Sequence, residues 1–90
     1  MDSSQRVAHQ VGSALRRLRR ERGMLCKQLA PRAGITRSML SRYELGRQHP
    51  TLPTLVKILR ALDCSAEDFG KRLGPWGCLP PAGAPAQEGE

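Results

Sequence analysis

The sequence predicts an all-α fold: a compact domain of five helices followed by a flexible C-terminal tail. Three observations predict it. Val7, Val11, Leu15 and Leu18 recur at the spacing of one helical stripe. Residues 26–46, CKQLAPRAGITRSMLSRYELG, divide into two short helical segments around Gly34. Leu55, Leu59 and Leu62 recur at i, i+4 and i+7 in the most apolar helical stretch of the chain.

In chain order, residues 1–5 are polar and read as a disordered N-terminus. From about Arg6 to Arg22 the pattern is helical, with Arg16, Arg17 and Arg20 off the apolar stripe and Gly23 at its end. The second helix is expected from about Cys26 to Ala33. Leu25 stands at its cap position, where a Ser or Thr would accept a free N–H, so its start is poorly capped. Pro31 lacks the N–H that would bond back to Lys27, an interior defect worth about 3 kcal/mol or more. A helix kinked or tightened at Pro31 is therefore predicted. Gly34 ends it, Ile35 points inward, and Thr36 caps a third helix from Arg37 to about Leu45 that Gly46 closes.

Residues 47–50 form a loop. Thr51 caps the fourth helix, from about Leu52 to Leu62, and Pro53 suits its first turn, where no N–H is needed. Val56 and Ile58 flank its Leu stripe, so this helix is expected to floor the core. Cys64 follows at a position expected to be buried. Ser65 opens a capping-box-like SAED and a last helix from Ala66 to Arg72, burying Phe69. From Gly74 the composition shifts to Gly, Pro and Ala, as in a flexible tail or a linker. The domain is thus placed at residues 6–73, with the tail at 74–90.

Helix, Gly-containing turn, helix is the helix-turn-helix layout, whose second helix enters the major groove of DNA. Here that helix leaves Arg37, Ser38, Ser41 and Arg42 on the face opposite Leu40 and Tyr43. Arg bonds guanine O6 and N7 together, and Ser donates or accepts, so this set suits base reading. A solvated charged face is the plainer reading of surface Arg. The turn beside it favours nucleic acid.

Charge distribution agrees. The net charge is +7 and the pI about 10.4. Residues 6–49 hold eleven of the fifteen Arg and Lys against only Glu21 and Glu44, a net +9 around the motif. Such concentration is a nucleic-acid footprint. An anionic membrane or acidic protein would also attract it, but neither explains the turn. No apolar run approaches the roughly 20 residues that span a bilayer, so no membrane role is expected. The N-terminus lacks a signal peptide's apolar stretch, and a cytoplasmic protein is expected.

Cys26, Cys64 and Cys78 are odd in number and form no CxxC pair, so neither a metal site nor a disulfide framework is predicted. Paired carboxylates, a Ser/His/Asp set and a phosphate-cradling Gly loop are all missing from the pattern. No enzyme and no cofactor is expected. His9 and His49 read as surface residues.

Residues 11–73 resemble the DNA-binding domain of the Cro and phage-repressor family, the XRE-type regulators. The resemblance rests on LRRLRRERG, QLAPRAGITRSMLSRYELGR, PTLPTLVKILRAL and SAEDF. It implies a compact five-helix repressor-like domain that binds a palindromic operator as a homodimer. It implies base contacts from Arg37, Ser38 and Arg42, with Ser41 close by. Phosphate contacts fall to Cys26, Lys27 and Gln28 at the start of the second helix, and to Arg47, Gln48 and His49 after the third. Cys26 departs from the usual Gln, so its backbone N–H is expected to serve instead of its side chain. Arg19 and Glu44 match a pair that braces the recognition helix.

The expected function is therefore a sequence-specific DNA-binding transcriptional regulator, a repressor, with double-stranded DNA as its partner. The alternative is a protein-interaction module of the same fold, antitoxin-like or a docking partner of another regulator. In that reading Phe69, Leu73, Trp76 and Leu79 would form the docking surface. The tail would equally suit a linker to an effector domain or partner.

Overall fold

The structure is a computed structural model that describes residues 3–73. Five α-helices account for it: α1 (Ser3–Glu21), α2 (Cys26–Arg32), α3 (Arg37–Glu44), α4 (Leu52–Ala61) and α5 (Ala66–Arg72), with no strand among the described residues. The tail expected at 74–90, with Trp76, Cys78 and Leu79, lies outside the described residues. α1 packs on α3 and α5, while α2 packs on α3 and α4. Leu15 and Leu18 of α1, Leu29 of α2, Leu40 of α3, Ile58 of α4 and Leu62 at its end are fully buried where these helices meet. Tyr43, Leu59 and Phe69, with Ala14, Ala30 and Ala33, complete the cluster. Burying a side chain of Leu size contributes about 1.5–3 kcal/mol, so the six fully buried Leu and Ile residues supply most of the apolar driving force.

The first helix begins at Ser3, not near Arg6, so residues 3–5 are its first turn and not a loose end. The cause is non-local. Ala8 is buried, and Ser4 Oγ lies 3.1 Å from His49 Nε2 in the loop after α3. Local sequence carries no sign of that contact.

Pro31 is accommodated within the last turn of α2. Beyond it the chain closes as a Schellman motif. Gly34, at φ +72, donates to the Pro31 carbonyl at 3.1 Å, and Ile35 N–H reaches the Ala30 carbonyl at 3.0 Å. A side chain at that φ would be strained, which is why Gly stands there. The same closure ends α1, α3 and α4, where Met24 donates to Arg19 O, Arg47 to Arg42 O and Cys64 to Leu59 O at 2.9–3.1 Å. At the α4 closure the left-handed position is taken by Asp63 at φ 53. Cys64 there is half-buried, not buried as expected. Its burial, together with the nearby Asp68, pushes the thiol's pKa up and keeps it protonated.

Thr36, Thr51 and Ser65 each accept an N–H at their helix starts, from Met39 at 3.0 Å, Thr54 at 3.3 Å and Asp68 at 3.1 Å. Leu25 makes no such bond. Gln28 partly substitutes, its Oε1 accepting the Leu25 N–H at 2.8 Å.

α1 and α3 cross at Gly12. A Cβ there would collide with the Tyr43 carbonyl oxygen and stand 2.7 Å from that of Glu44. Ala is favoured over Gly in a helix by about 1 kcal/mol, but overpacking against backbone costs about 1–3 kcal/mol or more. Gly12→Ala is therefore expected to destabilise by about 2 kcal/mol net, read as a lower urea midpoint. Leu25→Ser is expected to do the reverse. It supplies the missing cap at a site where Leu25 is already 54% exposed, adding about 1 kcal/mol in the same measurement.

Candidate nucleic-acid interface

Arg37, Ser38, Ser41 and Arg42 are all exposed on α3, while Leu40, Tyr43 and Glu44 on its other side are buried. Arg42 Nη2 donates to Ser38 Oγ at 3.2 Å, one turn back. That i, i+4 bond holds the guanidinium along the helix and reduces the ordering cost of binding. Lys27 and Gln28 are exposed at the start of α2, and Arg47, Gln48 and His49 are exposed after α3. The expected base-reading and phosphate residues are thus solvent-facing except Cys26, which is half-buried. Its Sγ lies 4.0 Å from Glu44 Oε1, turned into the structure. Gln28 differs from expectation in another way. Its oxygen is used on Leu25, which leaves only the amide NH2 to donate to an anion.

Below this surface Arg19 joins Glu44 in a bidentate pair, Nε to Oε2 at 2.8 Å and Nη2 to Oε1 at 3.0 Å. The third guanidinium arm, Nη1, donates to the Met24 carbonyl at 2.8 Å. The side chains are 12% and 6% exposed. The hydrogen bonds that Arg19 donates to Glu44 raise the Arg19 pKa above its ordinary value, against the opposing effect of burial. One cation therefore ties α1, the α1–α2 connection and α3 together. Farther along, Arg22 caps the end of α4 through the Leu62 carbonyl at 2.9 Å, and Arg72 Nη2 donates to Glu21 Oε1 at 2.8 Å. The Arg72 bond holds the Glu21 carboxyl below its usual pKa.

Gly12 and the Met24 carbonyl belong to the support of this surface and are not among the residues expected from sequence. Gly12 had a readable signal, since a Gly inside a helical stripe needs a packing reason. The Met24 carbonyl had none, because main-chain acceptors are identical at every position. Phe69, which a docking module would need exposed, is buried in the core. Among the described residues no three His, Cys, Asp or Glu side chains gather as a metal site would require. No helix among them is long and apolar enough to cross a membrane.

Removing one partner of a buried pair strands the other charge. Arg19→Met is thus expected to cost about 3 kcal/mol in urea unfolding, and the double change Arg19→Met, Glu44→Leu to recover most of it. Equal losses in single and double variants would contradict the coupling.

The helix-turn-helix family matches residues 15–69, more than half of the chain. An uncharacterized HTH-type transcriptional regulator of Sinorhizobium fredii (strain NBRC 101917 / NGR234), y4dJ, is 42% identical over 55 residues, which span 61% of this chain and 71% of that protein. The crystal structure of the clp gene regulator ClgR from C. glutamicum superposes with a TM-score of 0.73 at 26% identity, covering 82% of this chain and 94% of that one. The matched segment takes in Arg19, Glu44 and the whole exposed face of α3. On this ground, and on the geometry above, the chain belongs to the Cro/C1-type (XRE) helix-turn-helix family.

Proposed function

We propose that this protein is a sequence-specific DNA-binding transcriptional regulator, a cytoplasmic repressor that reads a palindromic operator as a homodimer. The observation that carries the reading is the exposed Arg37, Ser38, Ser41 and Arg42 face of α3, held by a buried brace. Arg37 and Arg42 read base edges, each good bidentate pair being worth about 1–3 kcal/mol of discrimination. Ser38 and Ser41 lie beside them on the same face, and Ser38 also orients Arg42. Lys27, Gln28 and the Cys26 backbone N–H hold one stretch of phosphate, and Arg47 and Gln48 hold another. These contacts position the domain and supply salt-sensitive affinity without choosing sequence.

Its role is regulatory, not enzymatic, in keeping with relatives named as regulators. One domain reading one half-site binds weakly. Two copies about one helical turn apart, roughly 34 Å, read both halves. The residues beyond Leu73 offer a connection to an effector domain or protein partner.

Selection of sites from a random duplex pool tests this. The expected product is a palindrome with half-sites about one turn apart. On the selected site Arg42→Ala is expected to cost about 1–3 kcal/mol and relax one base position. Arg47→Ala is expected to weaken selected and random duplexes alike and to reduce the salt slope by about one. Equal loss on both duplexes for Arg42→Ala would overturn the base-reading assignment.

A further inference from the structure

An open groove of about 460 Å³ lies between the last turn of α2 and the second half of α4. Arg32, Lys57 and Arg60 line it, and the small residues Ala33, Gly34 and Ala61 leave it room. The fold fixes its walls. α2 packs on α4, Ala33 is buried, and Gly34 turns the chain at φ +72. Arg32, Lys57 and Arg60 are all exposed, and among the described residues none of them enters a hydrogen bond or an ion pair. Arg19, Arg22 and Arg72, by contrast, are each held by a carboxylate or a carbonyl. Asp63 and Asp68 share the adjoining hollow with Arg60 and do not line this one.

An apolar ridge continues the groove. Val56 and Leu52 lead back from Arg60 toward the start of α4 at successive i, i+4 steps, so the three share one line along the helix. They are 40% and 72% exposed, on a helix whose inner side buries Ile58 and Leu59. A duplex backbone gains nothing from such a ridge. The groove also sits beside the last turns of α2 and α4, the ends where helical carbonyls carry partial negative charge. A peptide answers both features, with carboxylates for the cations and N–H donors for the carbonyls. The duplex backbone offers only anions.

We propose that this groove and ridge dock an acidic, amphipathic helical segment of a partner protein. Its carboxylates meet Arg32, Lys57 and Arg60, and its apolar side chains cover Val56 and Leu52, a helix-in-groove contact. Exposed ion pairs are individually weak and screened by salt, so the contact is transient and salt-sensitive. Arg37, Ser38, Ser41 and Arg42 do not line the groove. The site is therefore separate from the proposed base-reading face and does not rest on the DNA-binding reading.

The test follows the backbone amide NMR signals of the isotope-labelled full chain. The probe is a synthetic amphipathic helix with Glu on one side and Leu on the other; its control has Gln for every Glu. The Glu peptide is expected to shift the Arg32, Gly34, Lys57 and Arg60 amides, and the Gln peptide to bind about tenfold more weakly. Lys57→Gln, Arg60→Gln should cost about as much, and Leu52→Ser, Val56→Ser about fivefold. Both double variants change exposed residues, and their urea midpoints verify the fold. Shifts centred on the α3 face or spread evenly over the basic surface would overturn the proposal, as would full affinity in folded variants. A DNA duplex is titrated in the same way. Duplex shifts centred on the groove would assign it to nucleic acid and also overturn the proposal. A duplex that does not bind, with the peptide response intact, would remove the DNA-binding reading and leave the docking site standing.

Discussion

The bidentate pair of Arg19 and Glu44 is the constraint on which the rest of the structure depends. Both charges are largely removed from water, so every polar arm needs a partner. Arg19 meets this need with two bonds to the carboxylate and one to the Met24 carbonyl. Those partners lie on three different pieces of chain. Satisfying the guanidinium therefore sets the pitch of α3 against α1 and the path of the chain into α2. The net stability of such a pair is modest, because desolvation offsets most of the attraction. Its contribution is the orientation of α3 and of the exposed face it carries.

Around this pair α1 acts as a spine. It meets α5 through Glu21 and the end of α5 through Gln10, whose amide donates to the Leu73 carbonyl at 3.3 Å, while Arg22 just past its last residue meets the end of α4. The other four helices are short, between 7 and 10 residues, and would be marginal alone. They persist because the Leu-rich core and the spine hold both their faces and their ends. The polar bonds at the helix ends also keep buried carbonyls satisfied where the ladder of helical bonds runs out.

The fold was legible in the sequence wherever the signal is local. Thr36, Thr51 and Ser65 announce helix starts by cap chemistry, and Gly34 and Gly46 announce ends by backbone freedom. Stripes of Leu at helical spacing marked the core, with Leu15, Leu18 and Leu62 fully buried. What stayed hidden was set by distant contacts. The first turn of α1 follows from its docking on the loop after α3. The inward turn of Cys26 follows from Glu44. The left-handed Asp63 replaces the Gly that the pattern would suggest. Within the candidate interface, the exposed α3 face was readable from periodicity alone. That Arg42 leans on Ser38, and that Gln28 is partly occupied by Leu25, were not.

The crossing at Gly12 has a consequence for how such a protein acquires a new target. There α1 approaches α3 main chain to main chain, with the Tyr43 and Glu44 carbonyls where a side chain would have to fit. The placement of α3 thus owes nothing to the side chains at positions 37, 38, 41 and 42, which face solvent. Frame and vocabulary are separable in this architecture. On the proposed reading, those four letters can be exchanged as a set to address a different DNA site, while the scaffold that presents them is inherited unchanged.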